Sequence, residues 1–191
     1  MDIIEEPIVA LPAQGLISIG FNVDRILDIQ PMAGDLNSFL LSERAIDVPY
    51  IKDYDAIAGQ GPAHWASQFD VSNWGLIAAR IEGRRVGGAV IALRTPGLNM
   101  LEGRDDLAVL WDIRVAPEFR GRGVGSALFG AAEKWAAARG CRQLMVETQN
   151  INVPACRFYA KQGCVLKRIN RLAYREIPDE VQMLWYKDLT G

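Results

Sequence analysis

The sequence predicts an α/β layered domain with a mixed sheet, on three observations. Short runs with alternating apolar positions recur along the chain. Two segments of helical period each follow a strand-like run, and Gly or Pro punctuates nearly every junction. The order is strands first, then β-α-β-α-β-β.

Residues 1–20 mix apolar residues with Pro7, Pro12, Gly15 and Gly20, which reads as an irregular N-terminal leader, with one domain over 21–191. Val23–Ile29 suits a first strand. From Asp35 to Asp70 the chain is polar and punctuated, with an aromatic and acidic tract at Val48–Asp55 that suits a surface loop. Trp74–Ile81 and Val86–Leu93 read as a hairpin through Glu82-Gly83-Arg84-Arg85. In Leu107–Val115, residues Leu107, Val109, Trp111, Ile113 and Val115 share one strand face; Leu110, Asp112 and Arg114 take the other. Ser126–Arg139 carries Leu128, Ala131, Ala132, Trp135 and Ala136 at helical spacing, and Gly140 ends it. Gln143–Thr148 is the next strand. Val153–Gln162 is the next helix, with Asn152 as N-cap and Pro154 in its first turn. Val165–Tyr174 and Val181–Tyr186 close the chain as strands, and Trp185 and Tyr186 suit either the core or the edge of a homodimer.

Composition narrows the function. With 21 Lys+Arg against 23 Asp+Glu among 191 residues the net charge is −2, which gives no basic footprint for nucleic acid. One histidine, His64, and three cysteines, Cys141, Cys156 and Cys164, argue against zinc clusters and a disulfide framework and suit a reducing compartment. The first ten residues lack the basic and apolar pattern of a signal peptide, and no run has the length of a membrane span. The expectation is a cytoplasmic protein with no metal, nucleic-acid or membrane partner.

The stretch that carries chemistry is Arg120-Gly121-Arg122-Gly123-Val124-Gly125-Ser126, between a strand and a helix. Glycines let backbone N–H groups converge and the helix N-terminus adds partial positive charge, so the loop suits a phosphate or pyrophosphate. A Walker loop would need Lys before Ser126, and a dinucleotide fingerprint would need Gly at 126.

In context the arrangement resembles the GNAT superfamily of acyl-CoA N-acyltransferases. Arg120-x-x-Gly123-x-Gly125 matches its pyrophosphate signature, and Ile113-x-Val115-x-Pro117 matches the strand along which the pantetheine arm lies. Asn152-x-x-Ala155-x-x-Phe158-Tyr159-x-Lys161-x-Gly163 matches its second motif; Cys164 stands where an aromatic is usual. Pro49-Tyr50-x-Lys52-Asp53-Tyr54, the stretch Glu147–Lys161 and Met183-x-Trp185-Tyr186 extend the likeness to streptothricin acetyltransferases over about residues 20–187. The resemblance implies a GNAT-like, mostly antiparallel central sheet with helices on both faces. It implies acetyl-CoA as cofactor, held by Ile113, Val115, the loop Arg120–Ser126, Asn152 and Tyr159.

Its implied reaction is acetyl transfer to a primary amine of a cationic small molecule by direct attack in a ternary complex. A protein N-terminal or lysine acetyltransferase and a silent CoA-binding module stand as alternatives. An amine near pKa 10.4 must lose a proton, which points to Asp112 or Glu147, or a water chain leading to one. Tyr159 suits protonation of the departing thiolate. An oxyanion would meet a backbone N–H of the Ile113–Val115 strand, if that strand parts from Gln143–Thr148. Asp53, Tyr54, Trp111, Asp112, Glu147 and Glu180 are the candidates for binding the cationic acceptor. Cys156 and His64 read as packing and loop residues.

Overall fold

In a computed structural model that describes residues 1–31 and 39–189, the chain runs β1 (Asp2–Glu6), a 3₁₀ helix (Ile8–Leu16), β2 (Phe21–Pro31), β3 (Phe39–Lys52), a 3₁₀ turn (Tyr54–Ala56) and α1 (Pro62–Gln68). It continues through β4 (Gly75–Ile81), β5 (Arg84–Ala92), β6 (Leu107–Val115), α2 (Val124–Ala138), β7 (Gln143–Gln149), α3 (Val153–Lys161), β8 (Val165–Asn170) and β9 (Gln182–Asp188). Residues 35–38 of the stretch expected to be loop lie outside the described residues. The chain forms two compact units: Met1–Gly20 with Asp53–Val146 and Tyr186–Gly191, and Phe21–Lys52 with Glu147–Trp185.

In the first unit the strand order is β1-β4-β5-β6-β7, antiparallel up to β6 and parallel from β6 to β7. The β4–β5 hairpin turns through Glu82 and Gly83, both with left-handed φ (51° and 77°), the requirement of a tight two-residue turn. Strands β4 to β6 read as near-continuous apolar runs because both faces are covered: Leu76–Ala79, Ala89–Leu93 and Leu107–Leu110 are all buried. Two consecutive glycines of β5 make that possible. A Cβ on Gly87 would lie 2.9 Å from Leu128 Cδ1 and 3.2 Å from Val124 Cγ1 of α2, whereas one on Gly88 would lie 2.1 Å from Gln14 Oε1 of the first 3₁₀ helix. Successive strand residues point to opposite faces, so α2 and the N-terminal segment cover opposite sides of β5.

The segment read as an irregular leader is therefore built into the fold. Asp2–Glu6 pairs with Leu76–Arg80, and Gln14 is fully buried. Pro7 and Pro12 conceal this in sequence; Pro12 sits inside the 3₁₀ helix, and Pro7 caps it.

The second unit holds the hairpin β2–β3, the helix α3, and the order β7-β9-β8. Phe39–Lys52, expected as loop, is a fourteen-residue strand, antiparallel to β2. Most of its residues are exposed, so no apolar face marks it. On β2, by contrast, Val23, Leu27 and Ile29 are buried. Strand β8 ends at Asn170 rather than Tyr174, because Asn170 Oδ1 accepts from the Leu172 amide at 3.0 Å and turns the chain. Trp185 and Tyr186 are both buried, 5% and 6% exposed, which assigns them to the core. Among the described residues no helix is long and apolar enough to cross a membrane, and no group of three His, Cys, Asp or Glu could hold a metal.

Candidate active site

Strand β6 carries two unequal halves. Its register against β5 steps from Val90↔Asp112 to Ile91↔Leu110, so Trp111 is an extra, bulged residue. Its ladder with β7 covers only Leu107↔Gln143 to Leu110↔Val146, and among the described residues Asp112–Val115 pair on the β5 side alone. This is the parting that backbone donation to an oxyanion requires. Past the bulge the faces are inverted relative to an ordinary amphipathic strand: Asp112 and Arg114 are buried, while Trp111, Ile113 and Val115 are half-buried. An apolar stripe left accessible suits an extended apolar or amide ligand.

The loop after β6 prepares the start of α2. Gly121 and Gly123 have φ of 73° and 85°, and a Cβ at either would meet nothing within 4 Å, so backbone conformation is what demands glycine there. Gly123 is the N-cap of the fifteen-residue α2, has no side chain to accept from the first-turn amides, and no acidic residue lies in that turn. The amides of a helix start presented this way fit an anionic phosphate. Val124 is buried against the sheet; Ser126 and Arg122 are exposed, and the Arg122 guanidinium lies 5.6 Å from the Phe119 ring centroid. Arg120 is bonded to backbone carbonyls. Its Nε donates to Val115 O at 3.0 Å, and Nη2 to Ser18 O at 3.3 Å and Gly20 O at 3.1 Å, so it ties the loop down.

Asp112 is not presented to an acceptor. Its carboxylate takes Gln14 Nε2 at 2.6 Å and Arg114 Nε at 2.9 Å from both oxygens, and Arg114 ion-pairs in turn with Asp55 and donates to Ile17 O at 3.1 Å. Burial raises the Asp112 carboxyl, opposed by Arg114 and Gln14. Gln14 also donates to Gly88 O at 3.0 Å and accepts from Arg85, whose Nη1 bonds Glu6 at 2.6 Å. The expectation of a catalytic or acceptor-binding Asp112 gives way to a buried network, with Arg114 shared between Asp112 and Asp55, that joins the N-terminal segment to β6. Trp111 packs among aromatics, with its ring centroid 5.3 Å from Phe69, 5.4 Å from Trp74 and 6.2 Å from Trp65. Asp53 caps the following 3₁₀ turn by accepting from the Asp55 amide at 3.0 Å, and Tyr54 is half-buried in that turn.

Within the second unit, Glu147 is held by three side chains. Its Oε1 accepts from the Tyr174 hydroxyl and from Gln149 Nε2 at 3.2 Å, and Oε2 accepts from Gln182 Nε2 at 2.6 Å. Glu180, 6% exposed, is ion-paired with Lys52. Asn152 Oδ1 caps α3 by accepting from the Ala155 amide at 3.2 Å. Tyr159, on α3, is 4% exposed with its ring 5.1 Å from that of Phe158. Cys156 is buried beside Thr148, and burial pushes its thiol up to about 11, which leaves it protonated at neutral pH. His64 is exposed on α1.

Further residues complete both carboxylate environments: Gln14, Asp55 and Arg114 around Asp112, and Gln149, Tyr174 and Gln182 around Glu147. Arg114 and Gln149 carried a signal, each standing two residues from its carboxylate on the same strand face.

The acetyltransferase (GNAT) family model matches residues 44–164. The chain is 26% identical over 169 residues to the streptothricin acetyltransferase of Streptomyces lavendulae, spanning 88% of this chain and 84% of that one. It is 40% identical over 81 residues to streptothricin acetyltransferase A of Bacillus subtilis (strain 168), a match that covers 41% of this chain and only about half (47%) of the relative. A Bacillus anthracis str. Ames protein classed with the streptothricin acetyltransferases, solved in complex with acetyl coenzyme A, superposes with a TM-score of 0.74 at 25% identity over 98% of this chain and 96% of that one.

Proposed function

The chain belongs to the acetyltransferase (GNAT) family, and from that premise we propose that it transfers an acetyl group from acetyl-CoA to a primary amine of a cationic small molecule of the streptothricin type. The observation that carries the reading is the start of α2, a fifteen-residue helix entered through two left-handed glycines, with no side-chain cap and no acid in its first turn. Its first amides and positive end would hold the pyrophosphate of the cofactor. The half-buried Ile113 and Val115, freed from the β7 ladder, would lie along the pantetheine arm.

Acetyl-CoA supplies the thioester whose carbonyl carbon the amine attacks, releasing CoA thiolate. A main-chain N–H past the β6 bulge would hold the oxyanion, since the amides there have no β7 ladder to enter. Tyr159 is the donor we assign to the leaving sulfur. A phenol near pKa 10 stays protonated at neutral pH and is a competent donor to a thiolate. Glu147 takes the acceptor's cation and, directly or through water, the proton it must lose; it is half-exposed, and its bonded partners are all neutral. Glu180 is already ion-paired with Lys52, and Asp112 is buried against Arg114, so neither is presented to a ligand.

A thiol-release assay with acetyl-CoA and a panel of amines including streptothricin tests the reading. The expected result is release that depends on a polyamine-like acceptor and falls about a hundredfold in Tyr159→Phe, in the range of general-acid contributions. Binding of CoA with no amine-dependent thiol release would overturn it.

A further inference from the structure

We propose that Tyr174 is a positioning residue that acts through Glu147, fixing that carboxylate for the acceptor amine. The proposal rests on the role given to Glu147 above.

The geometry involves three elements of the second unit. Glu147 leaves β7 near its end. Tyr174 comes from the turn between β8 and β9, and its hydroxyl donates to Glu147 Oε1. Gln149, two residues along the same face of β7, bridges the pair: its Nε2 lies 3.2 Å from the same carboxylate oxygen and 2.9 Å from the phenol oxygen. Gln182, the first residue of β9, secures Oε2 at 2.6 Å. Three donors therefore engage a carboxylate that offers about four lone-pair directions. All three are uncharged, so they orient Glu147 without cancelling its charge.

A glutamate side chain that is half-exposed otherwise samples several rotamers, and a displacement of about 1 Å at a reacting group can lower a rate by about a hundredfold. Tyr174 suits this task better than a lysine or arginine would, because either cation would compete with the acceptor amine. Its phenol also remains a donor. Burial pushes its ionisation far above the usual tyrosine range, and the nearby charges of Glu147 and Glu180 push it further, so it does not become a second anion.

The test is a double-mutant cycle on the full chain with Tyr174→Phe, which keeps the ring and removes the hydroxyl, and Glu147→Gln, read with acetyl-CoA and the best amine of the panel. Tyr174→Phe is expected to lower kcat/KM for the amine about tenfold and leave the KM for acetyl-CoA within about twofold. In the Glu147→Gln background it should add no further loss. A loss of equal size in both backgrounds, or none in the first, overturns the proposal, since a purely structural tyrosine would act independently of Glu147. Should Tyr174→Phe not fold, Gln149→Met removes the bridging donor and carries the same cycle. Phenol absorbance near 295 nm supplies a readout independent of turnover: Glu147→Gln should bring the Tyr174 titration, identified by its loss in Tyr174→Phe, down toward the ordinary range. An unmoved titration overturns the coupling, whereas an enzyme that acetylates no amine but shows the shift overturns only the reading of its function.

Discussion

Two carboxylates, Asp112 on β6 and Glu147 on β7, differ in what holds them, and the difference separates a group closed into the fold from one left open to a ligand. Asp112 is buried and faces a guanidinium, with side-chain exposures of 2% and 1% for the pair, and its remaining bond comes from a glutamine that is itself buried. Glu147 is half-exposed and held by a phenol and two amides. A carboxylate paired with arginine is neutralised in place and serves the fold; one held by neutral donors keeps its charge for a ligand. Charge neutralisation and orientation are separate tasks.

The largest expected effect is in the first environment. Arg114→Leu should leave Asp112 buried without a counter-charge and lower stability by about 3–5 kcal/mol in urea unfolding, as loss of one partner of a buried ion pair does. Gln14→Leu, which strips a donor from both Asp112 and Gly88 O, should lower it by about 1–3 kcal/mol and loosen the N-terminal segment, measurable as faster amide exchange over residues 2–17. In the second environment Gln182→Leu should lower stability by about 1 kcal/mol or less, because water reaches Glu147, while acetyl transfer to the amine falls severalfold. If Gln182→Leu destabilises as much as Arg114→Leu, the division between the two carboxylates is wrong. Asn152→Ala sharpens the baseline: loss of the α3 cap alone should lower stability by about 1 kcal/mol. Effects near Glu147 that do not exceed this value in stability, yet lower acetyl transfer, are chemical.

The pattern of strands and helices was legible where one face is buried and the other is not, or where a glycine closes a helix. Leu107–Val115 appears as expected, α2 and α3 fall within two residues of their expected bounds, and the hairpin β4–β5 turns where Gly83 allows it. Strand β3 was not legible, because exposure of most of its residues removes the alternation that marks a strand. The 3₁₀ helix at Ile8–Leu16 was hidden because proline inside a segment argues against helix, and Pro12 lies in its interior.

The site divides the same way. Local chemistry announces the glycine loop before α2, since positive φ demands glycine and a helix start demands an acceptor, and both requirements are written in adjacent residues. By itself, then, the sequence determined the loop, the helix it opens and the apolar stripe of Trp111, Ile113 and Val115. Only the tertiary structure decided that Arg120 ties backbone carbonyls, that Asp112 is closed off by Gln14 and Arg114, and that Tyr174 and Gln182 reach Glu147 from 27 and 35 residues away. The physical reason is that a carboxylate's role depends on the charge and burial of its partners. Distant segments supply those partners, and strand periodicity says nothing about them.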